Sequence, residues 1–159
     1  MAAIRWRVPG FWRARRARRP QRPSPRAPYQ DLAGHFAVAL PADAPVATLE
    51  VTGEIDIATT PPLREAIRRL LAERTGPMLV DLGGVTFMDS TGLAVLLDLR
   101  RDAGAAERPL AIVCPEGPAR LLLAVTGIEA ELPLHATRAA ALDALRRPQE
   151  PPGSTSPRS

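Results

Sequence analysis

The sequence has no lysine; all 21 of its basic residues are arginine. A Gly-rich, Lys-bearing phosphate loop is therefore excluded. Cys114 is the single cysteine, so no disulfide can close within the chain. Its context, Ala111-Ile112-Val113-Cys114, reads as a buried strand with the thiol serving as a small core hydrophobe. The two histidines, His35 and His135, stand far apart in sequence. With one cysteine they make no metal-ligand cluster, and both read as structural residues beside strands. Neither histidine has the context of a general base, and no Gly-x-Ser-x-Gly elbow surrounds any serine. An enzyme is not expected, and neither is a cofactor or a metal.

Aromatic residues number six, so the core must be mainly aliphatic. Long apolar runs are missing too. Leu93-Ala94-Val95-Leu96-Leu97 falls far short of the roughly 18 residues a spanning helix needs. No apolar segment follows the N-terminal arginines, so no transmembrane or secretory segment is expected and the expected location is cytoplasmic.

The net charge of +4 conceals two opposite parts. Residues 1–30 hold nine arginines and no acid, a net +9. Residues 31–159 set twelve arginines against seventeen acids, a net −5. The folded part is acidic, so it is not expected to bind DNA directly.

The chain divides into three regions. Residues 1–30 are rich in Arg and Pro and are expected to be a disordered tail. Residues 31–147 carry continuous apolar periodicity and form one domain. Residues 148–159 are a polar, Pro-rich tail. In the central region His35–Leu40 and Val46–Thr52 alternate as strands, joined by a turn at Pro41–Pro45. Gly53 breaks the second pattern. Thr60-Pro61-Pro62 starts a helix with Thr60 as its cap, striped by Leu63, Ile67, Leu70 and Leu71.

Met78–Leu82 is an apolar run suited to a central parallel strand. A second helix starts near Ser90, carries Leu93, Leu96, Leu97 and Arg100 on one stripe, and stops at Gly104. Leu110–Cys114 is a strand, Pro118–Val125 a helix, Glu131–His135 a short strand, and Thr137 caps a last helix. The order is ββαβαβαβα. The expected fold is α/β, a mixed four- to five-stranded sheet with helices mainly on one face.

The stretch Val80 to Leu93 carries the most information. It leads from a buried strand through a loop into a helix. Ser90 and Thr91 fall where the first backbone N–H groups of a helix lack partners. A hydroxyl there can simply cap. It also projects beyond the strand end, where α/β sheets carry functional loops. A phosphate at a helix N-terminus is tolerated, with about 0.3–1 kcal/mol of favourable interaction when exposed. Asp89, and Asp56 if the loops converge, would oppose it. A partner docked closely over the same spot would have to bury the dianion, at a cost of several kcal/mol. Phosphorylation here would therefore switch binding without unfolding the domain.

Phe87-Met88-Asp89-Ser90-Thr91-Gly92-Leu93 resembles the phosphorylation loop of bacterial anti-sigma factor antagonists with STAS domains. The resemblance extends to Gly53-Glu54-Ile55-Asp56, to Val80-Asp81-Leu82 and to Leu121–Ile128, and covers about residues 34–147. It implies that Ser90 is the phosphoacceptor, and that Asp56, Asp89, Thr91 and Gly92 belong to a partner-binding surface beside it. It further implies that the unphosphorylated protein binds an anti-sigma factor with a histidine-kinase-like ATPase fold. That partner would phosphorylate Ser90 and let go, and a serine phosphatase would reset the cycle. The resemblance leaves a second reading open, a soluble STAS accessory subunit of a lipid or anion transport system without phosphorylation. Met88 and Thr91 fit the sigma-regulatory group better.

The N-terminal segment is not part of the family pattern. Trp6, Phe11, Trp12 and Tyr29 lie among its arginines. That mixture suits anionic lipid or nucleic acid. A solvated tail or a start codon assigned too early is the plainer account of it.

Overall fold

The computed structural model describes residues 29–30 and 36–147. The expectations for His35, for residues 1–28 and for residues 148–159 lie outside the described residues. One sheet holds six strands in sequential order: β1 (Tyr29–Gln30), β2 (Phe36–Ala39), β3 (Ala47–Ile55), β4 (Met78–Met88), β5 (Leu110–Val113) and β6 (Leu134–His135). The first two pairings are antiparallel and the rest parallel. Helices α1 (Thr60–Glu73), α2 (Ser90–Ala105), α3 (Pro118–Val125) and α4 (Arg138–Arg146) follow β3, β4, β5 and β6, with a 3-10 turn at Ile128–Glu131. The ββαβαβαβα order is thus present with one short strand in front. Tyr29 and Gln30, within the segment read as tail, pair with Val38 and Ala37 on the outer edge of β2.

The two sheet faces are covered unequally. Met78, Val80, Leu110, Ile112 and Cys114 join one large core with the buried stripes of α1, α2 and α3. Leu79, Ala111 and Val113 alternate to the other face and pack with Ala141 and Leu145 of α4. Three helices therefore share one face, and α4 covers part of the second. Thr48, a polar position in the alternating strand, is buried; its register partner is Leu79, on the face that α4 covers. At the edge of that patch Arg138 Nη1 donates to Glu50 Oε1 at 2.8 Å and Asp81 Oδ2 at 3.3 Å. Glu50 and Asp81 are themselves register partners, so the guanidinium separates two facing carboxylates.

Two strands run further than their sequence patterns indicate. β3 does not stop at Gly53 but continues to Ile55, and β4 does not stop at Leu82 but continues to Met88. The register explains why. Between Glu50 and Thr52 β3 spends one residue while β4 spends two, Leu82 and Gly83. Between Gly53 and Glu54 β4 inserts Thr86 against none. Each bulge adds one residue to the two-residue repeat. Leu82, Val85 and Met88 accordingly all face the core at intervals of three. Glycine permits the first bulge: a Cβ on Gly84 would lie 2.5 Å from Thr52 Cγ2.

The helices differ in smaller ways. α1 is preceded by Thr59 in the cap position, and Thr60 is its buried first residue. Glu65 accepts from Arg69, four residues on, at 2.9 Å, and also from Arg68. The buried stripe of α2 is Leu93, Leu96, Leu99 and Ala103, together with Gly92 and Val95; Arg100 is exposed, and the helix continues through Gly104 to Ala105.

Candidate functional site

β3 and β4 end side by side, with Ile55 opposite Met88. The ladder closes where Asp89 N donates to Ile55 O at 3.1 Å. The residues that follow each strand, Asp56 and Asp89, therefore start from paired positions, and the two loops converge. No multi-residue loop separates β4 from α2. Asp89 alone connects them, because the bulged strand consumes the residues expected to form a loop.

Asp89 is extended and caps α2. One of its carboxylate oxygens accepts from Thr91 N at 2.8 Å, from Gly92 N at 3.3 Å and from the Thr91 hydroxyl. The Thr91 hydroxyl bond, with the two backbone bonds, holds the Asp89 carboxyl below the usual carboxylate range against the opposing effect of burial. This leaves the two neighbouring hydroxyls in different states. Thr91 is half-buried and committed to Asp89. Ser90, the first helical residue, is exposed, and the described residues offer its side chain no hydrogen bond.

Asp56 organises the other loop in the same manner. Its Oδ1 accepts from Ala58 N at 2.9 Å and Thr59 N at 3.0 Å, while Asp56 N donates to Thr59 Oγ1 at 2.8 Å. Thr59 Oγ1 also lies 2.9 Å from Glu54 O. Both aspartates are half-buried, and no ion pair among the described residues engages them or Glu54. The surface above Ser90 is thus acidic.

Gly92 has a different place from the one expected. It is buried, not at the surface. A Cβ there would come within 2.6 Å of Met88 Cγ and 2.9 Å of Ile55 Cγ2. Glycine lets the first turn of α2 sit directly on the two strand ends, beneath the surface that carries Ser90.

Two apolar side chains complete the surface, and sequence reasoning missed both. Ile57, between Asp56 and Thr59, is 74% exposed, and Phe87, three residues before Ser90, is 48% exposed. Ile57 was hidden because a four-residue loop has no periodicity. Phe87 faces out only because the second bulge turns Met88 inward.

The family model described as STAS domain matches residues 37–141. The chain belongs to the STAS domain family. Among curated relatives, the anti-sigma-F factor antagonist RsfB of Mycobacterium tuberculosis is 41% identical over 51 residues, 32% of this chain and 42% of that protein. The chain thus spans less than half the length of that relative. The anti-sigma-B factor antagonist of Staphylococcus aureus is 28% identical over 81 residues, 51% of this chain and 75% of that protein. A crystal structure of an anti-sigma factor antagonist from Mycobacterium paratuberculosis superposes with a TM-score of 0.66 at 28% identity, covering 75% of this chain and all of that one. SpoIIAA in its unphosphorylated form shares the STAS fold at 20% identity and a TM-score of 0.55, covering 69% of this chain and 96% of that one. No helix among the described residues of this STAS domain is long and apolar enough to cross a membrane.

Proposed function

We propose that this chain is an anti-sigma factor antagonist whose grip on its anti-sigma factor is switched by phosphorylation of Ser90. The observation that carries the proposal is the contrast between two adjacent hydroxyls: Ser90 is exposed and unbonded, while Thr91 is tied to Asp89. The names of the curated relatives support the partner class. The partner is an anti-sigma factor with a histidine-kinase-like ATPase fold that acts as the serine kinase, and a serine phosphatase restores the free hydroxyl.

The docking surface is the rim formed by Asp56, Ile57, Phe87, Asp89 and Thr91 around Ser90. Gly92 supports it from below. An unphosphorylated rim offers apolar anchors and a neutral hydroxyl. A phosphate adds a dianion next to Asp89, whose carboxylate already takes the N–H groups of Thr91 and Gly92. The free domain tolerates this because the group stays in water at a helix N-terminus. A partner that seals the rim would bury the dianion without new donors, at several kcal/mol.

The test is incubation with the cognate anti-sigma factor and ATP, followed by peptide mass spectrometry. Phosphate is expected on Ser90 and absent in Ser90→Ala. Ser90→Asp should bind the anti-sigma factor at least about tenfold more weakly than the wild type. Equal affinity of the two, or phosphate on Thr91 instead, refutes the switch.

A further inference from the structure

The rim around Ser90 combines negative charge with exposed apolar surface. Glu54, Asp56 and Asp89 form no ion pair among the described residues, whereas Glu65, Asp98 and Glu129 elsewhere are each held by arginine. Ile57 follows Asp56 directly, and Phe87 is the register partner of Glu54. Both apolar side chains stand exposed. Acid and apolar groups therefore lie side by side across the rim.

Residues 1–28 of the same chain have the complementary composition. They hold nine arginines and no acid, and their aromatics sit directly against arginine, in Arg5-Trp6-Arg7 and Phe11-Trp12-Arg13. Guanidinium groups suit both halves of the rim, since they pair with carboxylates and lie over aromatic faces such as that of Phe87. The sheet fixes where this segment joins the domain. Tyr29 pairs with Val38, and Val38 with Val51. Tyr29 is therefore two strand spacings from β3 and four residues short of the level of Ile55, a span of about 16 Å to the rim. Arg22 stands seven residues before Tyr29 and Arg19 ten. Extended chain of those lengths reaches up to about 23 and 33 Å. Single exposed ion pairs are weak. Tethering offsets this, because it presents the segment to the rim at an effective concentration on the order of mM.

We propose that residues 1–28 dock on the rim of their own domain, with arginines on Glu54, Asp56 and Asp89 and aromatics on Ile57 and Phe87. The segment is an internal competitor for that surface. Anionic lipid or nucleic acid would use the same arginines, but has to compete from solution with a surface held within reach. Docking within the chain stands whether or not Ser90 is phosphorylated. Its regulatory consequence rests on the proposed function: the anti-sigma factor has to displace the segment to reach the rim.

The experiment is a 1H–15N NMR measurement on the full chain carrying a nitroxide label at Ala17→Cys. Cys114 is buried and burial pushes its thiol pKa up, so it does not take the label. At low salt the amide signals of Ile57, Phe87 and Ser90 should lose most of their intensity, while those of Ala103 and Ala141 keep theirs. Salt at about 0.5 M should restore the lost signals, because charges are then screened within a few Å. Glu54→Gln should weaken the broadening; the loop hydrogen bonds use only the backbone oxygen of Glu54. Arg15→Gln, Arg16→Gln, Arg18→Gln and Arg19→Gln together should abolish it. The same charge-depleted chain should bind the anti-sigma factor at least about threefold more tightly at low salt. Unchanged affinity beside a positive label result would overturn the rim as the factor's surface and leave the docking within the chain standing. Three results would each overturn the inference. Broadening spread evenly over all faces leaves the segment for a lipid surface or nucleic acid. Broadening indifferent to salt and to Glu54→Gln removes the charge pairing. Equal broadening with the label on one chain and 15N on another places the contact between copies.

Discussion

Asp89 does three things with one carboxylate: it caps α2, holds Thr91 and adds a negative charge beside Ser90. Removing it leaves Thr91 N and Gly92 N without their acceptor. Asp89→Ala should cost about 1–2 kcal/mol in urea unfolding at neutral pH. The pH dependence has a definite sign. The folded carboxyl sits below its unfolded value, so its contribution is complete above about pH 4 and is lost as pH falls through the folded value. The gap between wild type and Asp89→Ala should therefore narrow below pH 4, and a gap that stays constant down to pH 2 would contradict this assignment. Gly92 is the second decisive residue. Gly92→Ala forces a methyl onto Met88 and Ile55 and should cost about 1–3 kcal/mol, read as a lower urea midpoint. Ser90, Thr91 and Asp89 were legible in the sequence because they are contiguous and a helix start depends on local chemistry. The burial of Gly92 was not, because it depends on the distant Ile55.

Strand β4 shows what periodicity alone misses. A search for alternation ends the strand at Leu82, where the repeat changes from two to three. The structure keeps the strand by spending one extra residue at each of two bulges, and the glycine pair that looked like a stop is what allows the first. Gly84→Ala should lower stability by about 1–3 kcal/mol through contact with Thr52, and Thr52→Gly in the same chain should recover most of that loss. Absence of coupling in this double-mutant cycle would mean that the close approach is not the constraint. Asp81 of the same strand faces Glu50 of β3, and Arg138 bridges the two. All three groups keep some solvent contact, so Arg138→Met should cost only about 0.5–1 kcal/mol at low salt. Its clearer sign should be faster amide exchange in α4, diminishing as salt screens the two carboxylates.

Across the whole molecule, the order of strands and helices was legible because each element has its own apolar pattern and its own turn residues. The position of α4 on the second face was not, since a short helix with Ala141 and Leu145 can serve either side of a sheet. β1 was hidden for a similar reason: two residues carry no period. Its pairing along the outer edge of β2 has a measurable result. A chain beginning at Tyr29 should stay monomeric, whereas one beginning at Asp31 bares the β2 edge and should self-associate as concentration rises. Sedimentation of the two at matched concentrations distinguishes them, and identical behaviour would show that β1 protects nothing. The bulges of β4 also act at this scale. Eleven residues of β4 climb the same height that nine residues of β3 climb. Chain length and sheet height are thereby uncoupled. Deleting the extra residue of either bulge, Gly83 or Thr86, would restore plain alternation there and leave the start of α2 at its present level and facing. The place of Ser90 is set by where the β3–β4 pair ends, at Ile55 and Met88, and not by how many residues β4 uses to get there.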